Sequence, residues 1–379
     1  MRMLRPFIIL LIAAAVATVA RGGHEVPVYP SYYPHEIEIK TSTPEQAGSL
    51  LLEGKMHAYV GTAPRFANAL PDWIRTVESL GAFVTIRLNP ASSPARDAAC
   101  AVARTVLHDM AGRSGEFVLH PYPVTPFHGD YLYHADLADA ARAPALAAEP
   151  SGPAGRPLKL KASGTLAERL VRPEWQTQGA DWDAAVEEIA VADLIASSMR
   201  VLDGWFAPPW IRTGWFHAHL LLADPADQSE DALRARGDFE RLEAGDYGGA
   251  AERVNLERDL VGALTAGCRR VVAGYTVKRE YFNAEFSAGI ENVAHDSLTG
   301  LNSGMFIRTA KLKDFPWNGW LSLGIDGQPQ AAWNPVAGFN DPFGQLLWSA
   351  LGDPAVLPAP NDARWTINRI ADVQSSSGK

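Results

Sequence analysis

The sequence predicts an α/β fold of doubly wound mixed sheets, divided between two lobes and carrying a large helical insertion. Three observations predict it. Glu36–Pro64 reads as strand, helix, strand, a βαβ unit whose two strands must run parallel. The next stretch continues as helix, strand, helix to about Ala111, the order of a doubly wound sheet. The chain has 379 residues, 47% of them hydrophobic, which is more than one core organises well, so two lobes are expected.

Residues 1–20 place Arg2 and Arg5 before an apolar run, Phe7–Val19, that ends in small residues. This reads as a cleaved signal peptide, cut after Ala17 or Ala20. The run is shorter than the ~20 apolar residues of a membrane anchor. The mature chain is therefore expected in the periplasm. Its net charge of −9, more negative still without Arg2 and Arg5, argues against nucleic acid and anionic membranes as partners. Cys100 and Cys268 are too few for a disulfide scaffold; one bridge or two buried thiols both fit an oxidising compartment.

The 21–35 segment holds three prolines and three tyrosines between Val26 and His35, which favours an extended arm. The first lobe is expected over 36–134. Glu36–Lys40 alternates charged and β-branched residues as a half-buried strand does. Thr41, Ser42 or Thr43 can cap a helix beginning Pro44-Glu45, with Leu50–Leu52 as its apolar side and Gly54 as its stop. Met56–Val60 is the second strand. Gly61–Pro64 breaks it at the carboxyl end, where ligands bind in such sheets. Pro71–Leu80 reads as a helix with Trp73, Ile74, Val77 and Leu80 on one face, and Ala82–Leu88 as a strand closed by Asn89-Pro90. Ser92, Ser93 and Pro94 start a further helix. Glu116–His134 suggests a strand and a long loop.

Residues 135–172 are rich in Ala, Pro and Gly and are expected to form a loop or linker. Residues 173–290 are expected to be mainly helical. Asp181 caps a helix running toward Phe206, Thr213–Ala223 forms a short one, Asp231–Gly245 is a charged, solvated segment, and Ala250–Lys278 is helical again. The 291–370 segment is Trp-rich, and Trp320–Ile325 with Gln330–Trp333 around Asp326-Gly327 reads as a β-hairpin. Residues 371–379 form a disordered tail.

The run Leu50–Val60, LLLEGKMHAYV, resembles a piece of type 2 periplasmic solute-binding proteins: a helix ending in Gly, then a basic residue, then an apolar strand carrying an Asp. Here His57 stands in the place of that Asp. The resemblance covers about 30 residues and extends into the following α-β-α. It implies two α/β lobes joined by crossing strands, a small ligand held between them, closure about a hinge, and a membrane transporter or sensory partner. Thr62, Arg65 and Asn89 at strand ends would then offer hydroxyl, guanidinium and amide groups. Plain turn chemistry explains the same residues. Among the eleven tryptophans, Trp333, with Asn334 beside it, is the candidate ring for stacking on a ligand, although core filling is the commoner role.

Metal chemistry is the alternative class: a copper or zinc carrier, or an accessory to an exported redox enzyme. His120, His128 and His134 fall close together beside Asp130 and Asp136, a donor set suited to zinc or copper, but without HxH or HExxH spacing. His217 and His219 would share a metal on a strand and not on a helix; a core role is favoured. Gly22-Gly23-His24 would bind Cu(II) only if Arg21 were removed. No cofactor is expected. There is no GxSxG, Walker loop, GxGxxG, CxxCH or HExxH, Glu187-Glu188 looks solvated on a helix, and no catalytic residue is assigned.

Overall fold

The computed structural model describes residues 34–92, 96–112, 115, 117–147, 157–198, 208–313, 319–329, 341–352 and 354–368. The expected signal segment, nearly all of the extended arm, His24, the tail, Trp333 and Asn334 lie outside them.

The chain is mixed α/β, built on one eight-stranded mixed sheet. It begins as the capping chemistry dictates. β1 (Glu36–Thr41) leads into α1 (Pro44–Leu52). The Thr43 hydroxyl accepts from the Gln46 amide at 3.3 Å while the Gln46 side chain accepts from the Thr43 amide at 3.1 Å, a reciprocal cap with Pro44 in the first turn. β2 (Ala58–Val60) follows.

β3 (Ile74–Leu88) is one 15-residue strand, not the expected helix followed by a strand. Ile74, Val77 and Leu80 suit a helix face by spacing. In the sheet, however, the odd step from 74 to 77 sends the side chains to opposite sides: Ile74 packs under α1 and Val77 into the core on the other face. After α2 (Arg96–Ala111) and β4 (Val118–Leu119), the expected 135–172 linker contains α3 (Ala135–Leu146), β5 (Leu160–Ser163) and α4 (Thr165–Leu170). Its alanines are strong helix formers, and composition hid that.

β6 (Ala184–Ala190) replaces the start of the helix expected from Asp181; only α5 (Val191–Ser197) is helical. Again the apolar residues divide between faces, Val186 on one and Ile189 on the other. α6 (Gly214–Leu222) is as expected. α7 (Glu230–Ala244) occupies the segment expected to be solvated; it buries Ala235, Phe239 and Leu242, a stripe at helical spacing concealed among charges. α8 (Ala250–Thr265) ends before the strand β7 (Arg270–Asn283), which overturns the helix expected through Lys278.

β8 (Ile290–Asn292), α9 (Gly304–Thr309) and β9 (Lys311–Leu312) precede β10 (Trp320–Ile325). β10 is not the first arm of a hairpin. It lies between β1 and β2, parallel to both, so both its edges are taken. The βαβ reading of β1 and β2 holds, with a strand from the far end of the chain inserted between them. α10 (Pro342–Leu351) and the pair β11 (Val356–Pro358) and β12 (Trp365–Ile367) complete the described fold.

The sheet order is β1-β10-β2-β7-β3-β6-β5, with β4 also on β7. Its two halves have separate cores. The first half is sandwiched between α1 (Ala47 and Leu51, packed on Met56 and on Tyr59 of β2) and α9–α10 (Phe306, Ile307, Leu346 with Leu321, Leu323, Ile325). In the second, Val84, Ile86, Leu160 and Val186 pack on α2 and α4. A third core joins α3, α6, α7 and α8. β3 and β7 alone run through both halves, paired from Ile74↔Asn283 to Arg87↔Arg270.

Candidate functional site

The register of β3 and β7 slips twice where the halves meet, first where Leu80 opposes Val277 and Phe83 opposes Tyr275, and again between Val84 and Thr85. Gly81 and Ala82 therefore face the single residue Thr276, a β-bulge. The Thr276 hydroxyl accepts from the Ala82 amide at 2.9 Å. β1, β10 and β2 run toward this bulge from the first half and end at Thr41, Ile325 and Val60; β6 and β5 run toward it from the second and end at Ala190 and Ser163. Ala190 pairs with Ala82 itself. The carboxyl ends of five strands thus face each other across the crossing strands, where α/β sheets bind ligands.

The floor on the first-half side is built on Glu280, which is fully buried. Its carboxylate accepts from the Gly61 amide at 2.8 Å and the Leu301 amide at 2.7 Å, with the Lys278 ammonium 3.3 Å away. Lys278 also donates to the Thr299 carbonyl at 3.0 Å. Gly61 has φ +118°, and a Cβ there would collide with the Asp326 carboxylate, so glycine is required on both counts. The rim carries exposed Thr62 and Arg65 from one half and exposed Ser163, Gly164 and Thr165 from the other. Arg65 pairs with Glu45 at 2.8 Å, both well exposed, so the pair contributes little and the guanidinium can exchange partners. Glu188 accepts from the Leu166 amide at 3.0 Å, and Glu187 stands 2.7 Å from Arg87 and 3.7 Å from Arg270. Neither is the solvated helical carboxylate expected from sequence.

Thr62 and Arg65 follow the carboxyl end of β2, on the first-half side of the bulge, whereas Asn89 lies elsewhere. Asn89 lies beyond the far end of β3, where its amide donates to the Trp182 carbonyl at 2.8 Å and its oxygen accepts from the Ala91 amide at 2.9 Å. It lines a different cavity of about 930 Å³ with Arg87, Arg236 and Arg269. His57, in the position of the family's Asp, stitches β2 to its neighbours: Nδ1 accepts from the Ser322 amide at 2.9 Å and Nε2 meets the Ala288 carbonyl at 3.1 Å. Glu280, Lys278 and Asp326 were not identified from sequence. Asp326-Gly327 reads as a hairpin turn, and Lys278 and Glu280 fall in the segment expected to be mainly helical, which is the strand β7 here.

His120, His128 and His134 do not converge on one point. His120 Nε2 meets the Val124 carbonyl at 2.9 Å. His128 Nδ1 accepts from the Thr125 amide at 2.9 Å, which leaves Nε2 to donate to His217 Nδ1 at 2.9 Å. His134 Nδ1 pairs with the Tyr122 hydroxyl at 2.9 Å. Burial holds His128 well below the ordinary imidazole range and brings His134 and His217 down to about 4. His217 and His219 sit on a helix, as core residues would. Cys100 and Cys268 form a disulfide with Cα atoms 5.0 Å apart, binding α2 to the segment just before β7.

Fold and site together describe a mixed α/β protein in which two sheet halves with their own cores meet across a pair of shared strands, with the carboxyl ends of five strands directed at the meeting point. No family model matches the chain, and no curated protein matches it in sequence. Solved structures are similar in fold. An ABC transporter substrate-binding protein from Sinorhizobium meliloti matches at 11% identity and TM-score 0.38, over 66% of this chain and 57% of that one. The oligopeptide-binding protein AppA of Bacillus subtilis, in complex with a nonapeptide, matches at 13% and 0.36, over 68% and 57%. The periplasmic EDTA-binding protein EppA matches at 11% and 0.35, over 66% and 53%. The chain spans a little over half the length of these structures. They are substrate-binding proteins, the group that the Leu50–Val60 segment resembles.

Proposed function

We propose that this chain is an exported, periplasmic solute-binding protein that holds a small molecule in the cleft at the Gly81–Ala82 bulge and presents the closed form to a membrane transporter or sensory partner. The observation that carries this reading is the convergence of five strand ends, from two sheet halves, on the Gly81–Ala82 bulge, the first of two places where the crossing strands change register. A cluster of Leu80, Phe83, Tyr275 and Leu298 packs at the joint, so closure would pivot about that cluster, and a ligand touching both rims favours the closed state by its differential affinity. The disulfide supports an oxidising compartment. The exposed groups, hydroxyls of Thr62 and Thr165, the Arg65 guanidinium and nearby backbone amides, suit a polar organic solute with a carboxylate or similar acceptor.

Native mass spectrometry of the full chain purified from its own periplasm, before and after mild denaturation, tests the proposal. A small organic mass that leaves on denaturation, and that raises Tm when added back, is the expected result. A bare polypeptide whose Tm no added solute raises would overturn it. Arg65→Ala should weaken retention of that mass.

A further inference from the structure

We infer that Asp130, His134 and Glu257 form a structural site for a divalent transition metal of the zinc class, which fastens α8 to the loop that precedes α3. One donor atom from each residue lies within 4.8 Å of a donor from each of the others, and all three residues are buried. The set shares only His134 with the histidine group expected from sequence, and this inference stands independently of the proposed solute cleft.

Two observations point inward. Nε2 of His134 and Oε2 of Glu257 are both buried without a hydrogen-bond partner, on residues that are 0% and 1% exposed. Orphaned buried polar atoms are rare because each gives up its hydration with nothing in return, and two in one cluster point to a common partner. In addition, each candidate ligand is held in place by other contacts, and Asp130, with one amide on each oxygen, still has a lone pair on each for a further partner. Asp130 accepts from the Gly214 and Trp215 amides at 2.9 and 3.2 Å. His134 Nδ1 meets the Tyr122 hydroxyl at 2.9 Å, so Nε2 is left to face the cluster. Glu257 Oε1 takes the Arg253 guanidinium at 2.6 Å, leaving Oε2.

These are the outer contacts that orient metal ligands: a hydrogen bond to the second imidazole nitrogen and partners on each carboxylate. The charge balance agrees. Two buried carboxylates face one guanidinium, since neighbouring Arg258 is turned to Asp136 in a two-pronged pair at 2.7 Å. A divalent cation supplies the missing positive charge. One imidazole and two carboxylates suit zinc, with a water as fourth ligand.

The test uses the untagged full chain, stripped with chelator and titrated with ZnCl2 alone, read by elemental analysis and by Tm. One equivalent per chain with a raised Tm is expected. Glu257→Gln relieves the buried charge and so should fold at least as well without metal, yet bind zinc at least about tenfold more weakly; His134→Gln should do the same. No retained zinc and no Tm shift would overturn the inference and leave a buried water as the common partner. Undiminished binding in both variants would equally overturn it, as zinc held adventitiously elsewhere.

Discussion

Removing the Glu280 carboxylate is the sharpest test of how the cleft is held. In Glu280→Ala the Gly61 and Leu301 amides lose their acceptor inside a fully buried position. Hydrogen bonds to a charged group contribute about 1.5–3 kcal/mol each, and an amide left buried without a partner loses its full solvation. The half-exposed Lys278 can turn to water, so its share is small. The expected loss is about 3–5 kcal/mol, or roughly 4–6 °C in Tm for a chain of this size. Glu280→Gln keeps one carbonyl acceptor and presents an NH2 group to the other amide, so it should fall between wild type and Glu280→Ala. Urea unfolding of the three proteins at one pH measures this. A Glu280→Ala variant within about 1 kcal/mol of wild type, or a Gln variant as damaged as the Ala one, would refute the account of two amides depending on one carboxylate. Solute retention should fall with stability here, because Gly61 positions Thr62.

Other expectations follow from single contacts. Ala at position 48 would ordinarily favour a helix interior by about 1 kcal/mol; Gly48→Ala should instead destabilise, because a Cβ there collides with the Arg65 carbonyl, and differential scanning calorimetry reads the sign. Replacing both cysteines with alanine opens a link between residues 168 apart and should cost up to about 5 kcal/mol, with reductant lowering the Tm of wild type alone. His217 has a folded pKa of about 4, held down by burial first and by Arg212 in addition, against an ordinary value of about 6.5. Its folded value lies below its unfolded one, so its share of stability is complete above about pH 6.5 and lost as pH falls to about 4, by about 3 kcal/mol. His217→Gln, which keeps an acceptor for His128, should flatten that acid limb relative to wild type in urea titrations. Asn89→Ala should leave solute retention unchanged, since Asn89 lies away from the cleft; a loss of the bound mass would move the site to the cavity it lines.

The sequence by itself determined the parts whose signals are local. The Thr43 cap with Pro44 set where α1 begins, the alternation of Glu36–Lys40 set β1, and the apolar run 214–222 set α6. It also placed Gly61–Pro64 at the carboxyl end of a parallel strand, and the structure puts that loop on the cleft. The tertiary structure decided everything that depends on which strand lies beside which. Ile74, Val77 and Leu80, or Val186 and Ile189, read equally well as one helix face or as alternate faces of a strand buried on both sides. Only pairing with β7, β3 and β5 distinguishes the two. β10 enters between β1 and β2 from more than 250 residues away along the chain; no local pattern encodes that. For the same reason Glu280 was invisible as an anchor of the Gly61 and Leu301 amides, and Glu257 as a companion of His134 and Asp130, which the sequence had already placed near each other. A carboxylate's role is set by the amides, cations and low dielectric that packing brings to it, and those arrive from distant parts of the chain.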